Sequence, residues 1–179
     1  MTWYNIFLIL LIIAGVLGLI YAISYNKLNY YKTRIERSEN IIDEALRNKY
    51  DKLCELNIEI KKEITKKDYL KEYIELKDTR ISNYDMDRKL VEAMNLVHEL
   101  INDNEKLNNK EINKILKEMD EIDENLTSGK NFYNKNTTEL NGVIRKFPSS
   151  FVAKVHNYKI KPYFDGKNMQ DAITDDFKL

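Results

Sequence analysis

The chain has 179 residues, enough for one ordinary domain and an anchor. Its 29 basic and 29 acidic side chains cancel, which argues against a nucleic-acid binder, since such a protein carries a basic excess or stripe. Five glycines and two prolines leave few turn signals and point to long helices, and the single cysteine, Cys54, excludes a disulfide framework within the chain.

No charged side chain occurs before Lys27, and residues Ile6 to Ile23 form an unbroken run of 18 apolar or small residues. A helix rises about 1.5 Å per residue, so roughly 20 such residues cross a hydrocarbon core about 30 Å thick. Trp3 and Tyr4 stand at one edge of the run and Tyr21 and Tyr25 at the other, where amphipathic rings favour the headgroup layer. A cleaved signal peptide fits less well, because a basic leader and a small-x-small cleavage site are both missing. The flank after the run carries Lys27, Lys32, Arg34 and Arg37, so the positive-inside rule places the folded part in the cytoplasm and the short N-terminus outside. Ala14, Gly18 and Ala22 recur every four residues, a spacing that lets two membrane helices approach closely, although small residues are common in any span.

From Leu28 the apolar residues become spaced. Leu28, Tyr31, Ile35, Ser38, Ile42, Ala45, Lys49, Leu53, Leu56, Ile60 and Ile64 step by threes and fours, with Ser38 and Lys49 interrupting an otherwise apolar seam. No glycine or proline breaks this pattern, so the span and the first bundle helix read as one element that ends near Thr65-Lys66-Lys67-Asp68. A second helical region covers about Tyr69 to Asn104. Within it, Leu70, Tyr73 and Leu76 form one stripe, and Met86, Leu90, Met94, Val97 and Ile101 another. Ser82-Asn83-Tyr84-Asp85 offers a break, with Asp85 as N-cap. A third region opens with Asn108 as cap and Glu111 reaching back. Its stripe is Ile112, Ile115, Met119, Ile122, Leu126, Tyr133, Thr137, Leu140, Ile144 and Phe147, until Pro148 stops the helix. Gly129 inside this run costs about 1 kcal/mol against alanine. Strand alternation is absent, so the expected fold is all-α: a transmembrane helix continuing into an antiparallel up-and-down bundle of three to four long helices. The organisation is an anchor over 1–25, a bundle over 26–147 and a C-terminal piece over 148–179.

In that last piece Phe151, Val152, Val155, Tyr158, Ile160, Tyr163 and Phe164 interleave with Lys154, His156, Lys159 and Lys161. The simpler expectation is a short helix and an extended strap that closes one end of the bundle. The rival is a basic-aromatic patch lying on an anionic bilayer. Asp165 to Leu179 is polar and reads as a frayed tail.

Catalytic constellations are missing. The glycines are scattered, whereas a phosphate-binding loop clusters them. His98-Glu99 begins a zinc-protease motif, but residue 102 is Asn. Two histidines and one cysteine do not make a usual structural zinc site. A Cys54–His98 nucleophile pair is conceivable, but Cys54 lies beside the buried seam and reads as a packed, inert thiol. The run Glu118, Asp120, Glu121, Asp123 and Glu124 reads as a solvated face, and the Glu-x-x-His pairs of a bundle metal site are absent. Two matches to glycosylation sequons, at Asn125 and Asn136, carry no meaning in a cytoplasmic bacterial domain. No cofactor or metal is expected, and the chain is expected not to be an enzyme.

Three stretches together resemble the LemA family of bacterial membrane proteins. They are Tyr25-Asn26-Lys27-Leu28, then Ile42-Asp43 with Leu46 through Leu56, and then a gap-free register from Glu124-Asn125 through Tyr133-Asn134, Asn141, Phe147-Pro148, Ala153 and Pro162-Tyr163-Phe164. The chain departs from the family where Cys54 replaces a frequent Pro, Leu140 a Tyr and Asn157 a Gly. The resemblance implies one N-terminal span, an antiparallel helical bundle usually described as four-helix, and no established enzymatic activity. Relatives are linked to organelle-like membrane compartments or to cell-envelope processes.

The matched polar residues Asp43, Arg47, Tyr50, Glu124, Asn125, Tyr133, Asn134 and Asn141 lie on or beside buried stripes. A buried polar group must be hydrogen-bonded or costs roughly 1–3 kcal/mol. They are therefore expected to form a polar network shared by the first and last long helices, setting register, with a small polar ligand or peptide as the functional rival. Phe147, Pro148, Pro162, Tyr163 and Phe164 are the expected strap. The function these features suggest is a membrane-anchored scaffold that self-associates or holds a protein partner at the cell membrane. The alternative is a sensor or regulator of envelope processes that signals through the continuous helix.

Overall fold

The computed structural model describes residues 3–64, 68–78 and 81–164. The expected helix-ending residues Thr65 to Lys67 and the tail Asp165–Leu179 lie outside that set. Because no proline and no glycine after Gly18 interrupts the N-terminal third, backbone hydrogen bonds propagate without a break, and α1 runs from Trp3 to Glu63. Lys61 and Lys62 lie in its last turn, where positive charge complements the free carbonyls. The chain then forms a single-turn helix α2 (Lys71–Ile74), continued by a 3₁₀ turn over Glu75–Asp78, and α3 (Asn83–Asp103). After a second 3₁₀ turn, Glu105–Leu107, come α4 (Lys110–Arg145) and the short α5 (Ser149–Val155). Among the described residues there is no strand, and the helices form a bundle. Long helices number three among those residues. The second expected helical region is broken, as its Ser82–Asp85 signal suggested.

Two caps differ from expectation by a few residues. Ser82, not Asp85, caps α3: its hydroxyl accepts the Asp85 N–H at 3.1 Å and donates to the Asp85 carboxylate at 2.6 Å. Asn109, not Asn108, caps α4, its side-chain oxygen accepting the Ile112 N–H at 3.0 Å. In each case the cap three residues before the bonded N–H relieves a donor with no helical partner.

Cα proximity divides the chain into two compact units that cut across both α1 and α4, a grouping other than the anchor–bundle–tail one. The first holds residues up to Arg37 together with those from Phe132 onward. Within it, Tyr31 meets Glu139 and Arg34 stacks on Phe132, so one helix's numbering falls as the other's rises: the two segments are antiparallel. Leu28 and Ile35 of α1, Tyr133, Thr137, Leu140 and Val143 of α4, and Val152 and Ala153 of α5 are buried. Residues 3–23 of α1 lie outside this core, and the apolar run is exposed throughout, as expected for a segment that meets lipid. It is long and apolar enough to cross a membrane. Phe147, expected to continue the α4 stripe, is 87% exposed, because the helix ends two residues earlier at Arg145.

The second unit spans Ser38–Asn131. The seam read from the sequence is buried here in full, from Ser38 through Ile42, Ala45, Lys49, Leu53 and Leu56 to Ile60. Leu90, Ala93 and Val97 of α3 and Ile112, Ile115, Met119 and Leu126 of α4 complete the core. Gly129 falls on the α4 seam between Leu126 and Tyr133. A Cβ there would stand 3.3 Å from both Ile41 Cγ2 and Ile42 Cγ1. The glycine's helix penalty is thus set against a close approach of α1 and α4, in which a Cβ would press on both isoleucine side chains.

Candidate functional site

In the first unit, four polar side chains on one face of α4 grip an irregular segment of backbone. Asn141 is completely buried: its amide donates to the Lys161 carbonyl at 2.8 Å and accepts the Lys161 N–H at 2.9 Å, replacing both bonds that a neighbouring strand would supply. Two helical turns earlier, Asn134 accepts the Phe164 N–H at 2.8 Å and Tyr133 donates to the Pro162 carbonyl at 3.1 Å. The Phe164 ring meets the Tyr133 ring edge-on, with centroids 6.3 Å apart. Thr138 pairs with the Tyr163 hydroxyl at 3.1 Å. Residues 161–164 adopt no repeating structure, so these side chains satisfy backbone groups that secondary structure does not. The expected strap therefore exists in Pro162, Tyr163 and Phe164, which are half-buried, whereas Phe147 is not part of it.

The strap is led there by a C-terminal cap on α5. The Tyr158 N–H donates to the Ala153 carbonyl and the Asn157 N–H to the Lys154 carbonyl, with Asn157 at φ 58°. This is the Schellman arrangement, and its left-handed residue is the position where the family resemblance expects glycine; asparagine is the side chain that tolerates it next best. His156, just before, accepts or donates a hydrogen bond to the Tyr21 hydroxyl at 2.6 Å, and its ring lies 4.7 Å from that of Tyr25. Burial, with a lesser contribution from Tyr25, pushes the Tyr158 hydroxyl above its ordinary pKa. Burial and the adjacent Glu139 carboxylate do the same to Tyr31.

In the second unit the charges are ordered by α1 and α4. Lys49, only 3% exposed, directs its ammonium to both carboxylate oxygens of Asp123 at 2.5 and 2.8 Å. Lys52 bridges Glu118 at 2.7 Å and Glu55 at 2.8 Å, which raises its own pKa and, through the hydrogen bond, lowers that of Glu118. Asp43 and Arg47 pair with each other along α1 at 2.8 Å, and the Tyr50 hydroxyl donates to the Ile74 carbonyl, fastening the α2 turn. These three residues, with Leu46, Leu76 and Met86, border an open cleft of about 350 Å³.

The eight expected network residues thus separate into different tasks. Tyr133, Asn134 and Asn141 hold the strap. Asp43, Arg47 and Tyr50 serve α1 and the turn at Ile74. Glu124 and Asn125 are exposed, because they fall between the stripe positions Ile122 and Leu126, on the outer side of α4. In the second unit α1 and α4 are instead joined by the ion pairs Lys49–Asp123 and Lys52–Glu118. The sequence carries a signal for the first: a lysine on a buried seam calls for an acid on the facing helix, although Asp123 sits in an acidic run that reads as a solvated face. Thr138 and the Tyr21–His156 contact carried no signal. The small residues Ala14, Gly18 and Ala22 are uncovered in the single chain, with nothing within 4 Å of a Cβ at Gly18. Cys54 is half-buried within an uninterrupted α1, without the kink of the family's proline, and His98 is exposed. Among the described residues, no group of three or more His, Cys, Asp or Glu side chains is placed to hold a metal.

The family model described as the LemA family matches residues 38–177, most of the chain. No curated protein and no solved structure gives a significant match.

Proposed function

Because the chain belongs to the LemA family, we propose that it is a membrane-anchored helical scaffold that presents a folded surface to protein partners, or to further copies of itself, beside the bilayer. The observation that carries this reading is α1: one helix includes both the uncovered apolar run and the buried seam of the folded part, with no linker between them. The polar side chains of α1 and α4 described above serve structural pairs and the grip on the strap, which suits a scaffold. No enzymatic activity is proposed. The basic flank from Lys27 to Arg37 favours a cytoplasmic folded part and an external N-terminus.

The same continuity favours a second reading, a sensor or regulator of envelope processes that signals through α1. Crosslinking in native membranes followed by mass spectrometry separates the two. A stable homo-oligomer or one dominant partner is expected of a scaffold. A monomer whose partners change with stimulus would favour the regulator. Protease added to intact cells is expected to leave the folded part uncut, and its digestion from outside would reverse the orientation.

A further inference from the structure

The stretch from Leu140 to Phe164 contains Arg145, Lys146, Lys154, Lys159 and Lys161 and no acidic residue, in a chain whose charges balance only when taken as a whole. Within it, Phe147 is 87%, Phe151 63% and Val155 57% exposed. They recur every four residues, and Phe151 and Val155 share one face of α5, opposite the buried Val152 and Ala153. Large rings grouped on a surface mark a contact with lipid or protein. The position of this group within its own unit identifies which.

Tyr21 and Tyr25 stand at the edge of the uncharged run of α1, the headgroup level of a spanning helix. His156, the C-cap of α5, is hydrogen-bonded to the first and packed on the second. The C-terminal end of α5 is therefore held at that level. The α4 end reaches it independently: Glu139 meets Tyr31, and in an antiparallel pair six residues further along α4, at Arg145, correspond to six residues back along α1, at Tyr25. Both ends of the segment 145–156 thus lie beside the point where α1 leaves the bilayer.

We infer that residues 145–156 form an interfacial foot that lies on the anionic face of the bilayer α1 crosses. Phe147, Phe151 and Val155 enter the boundary between headgroups and acyl chains, and Arg145, Lys146 and Lys154 meet lipid phosphate and carboxylate groups. Lipid is favoured over a protein partner because the apolar face is continuous, through the tyrosine–histidine contacts, with the span itself. The inference rests on the membrane-anchored reading and adds a second contact to it, which fixes α1 against rotation about its axis.

The test uses the full chain with its lone tryptophan moved. With Trp3→Phe as background, Phe151→Trp, Leu10→Trp and Val91→Trp report on the foot, the span and an exposed site on α3. Each is reconstituted into phosphatidylglycerol-containing vesicles with or without brominated acyl chains. The Phe151→Trp emission is expected to be blue-shifted and to lose most of its intensity to bromine, as at Leu10→Trp, while Val91→Trp keeps a water-like, unquenched spectrum. An unquenched Phe151→Trp beside a quenched Leu10→Trp would overturn the foot and leave the anchor intact. An unquenched Leu10→Trp would overturn both. Quenching at Phe151→Trp is expected to weaken in phosphatidylcholine alone; equal quenching there would overturn the assignment to anionic lipid.

Discussion

Lys49 occupies the buried seam of α1, and Asp123 takes up its ammonium through both carboxylate oxygens, yet the two ends of the pair differ in exposure, at 3% and 44%. That asymmetry makes the two single deletions unequal. Removing Asp123 leaves a buried cation without its partner, a loss that costs about 3–5 kcal/mol in a fully buried pair. Water reaches the aspartate side, so Asp123→Ala is expected to cost about 2 kcal/mol here. Lys49→Met keeps the length and volume of the side chain, discards the charge's desolvation, and leaves a half-exposed carboxylate that water solvates. It is expected to be neutral or stabilising by about 1 kcal/mol. The double variant should behave like Lys49→Met, because without the lysine the aspartate has little left to do. Circular dichroism at the helix band during thermal and urea unfolding of the reconstituted protein reads all four corners of the cycle. A Lys49→Met protein as unstable as Asp123→Ala would refute the reasoning, since it would make the buried charge itself a net source of stability.

The grip on the strap gives a sharper pattern of variants. Asn141→Ala removes the bonds to both the N–H and the carbonyl of Lys161 and is expected to cost about 2 kcal/mol. Asn134→Ala should cost about 1 kcal/mol, and the exposed Asn125→Ala nearly nothing, in the same unfolding assay. Limited proteolysis between Lys159 and Lys161 should accelerate in the first variant alone. Thr137 is fully buried and its hydroxyl oxygen has no hydrogen-bond partner, so the near-isosteric Thr137→Val should stabilise by about 1 kcal/mol; a lower melting temperature would show that the hydroxyl is satisfied. Glu118 is held below the ordinary carboxylate pKa chiefly by its hydrogen bond with Lys52. A carboxyl lowered in the folded state contributes stability above its unfolded pKa and loses it as pH falls through the folded value. Glu118→Gln should therefore flatten the acid side of the stability–pH profile, and an unchanged slope would discount this pair.

Where periodicity governs, the sequence alone was sufficient. Apolar residues at three- and four-residue steps have one way to leave water together, so the seam from Leu28 to Ile60 and the α4 stripe from Ile112 to Leu140 were legible, as was the uncharged run before Lys27. The sequence also indicated that Ser38 and Lys49 interrupt the seam, since their spacing places them inside it whatever their polarity. It could not say what meets them. A polar atom's partner is chosen by distance in space. Tyr133, Asn134 and Asn141 turned to the backbone of residues 161–164, while Asp123 left an apparently solvated acidic run to meet Lys49. The caps at Ser82 and Asn109 escaped for a local reason of the same kind, because neighbouring Ser, Asn and Asp residues offer equivalent oxygens and only the backbone geometry selects one. Gly129 was legible as a cost to the helix and became intelligible only beside Ile41 and Ile42. Only the fold exposed Phe147, Phe151 and Val155 and brought His156 to Tyr21, because that contact joins residues 135 positions apart and no local pattern encodes it.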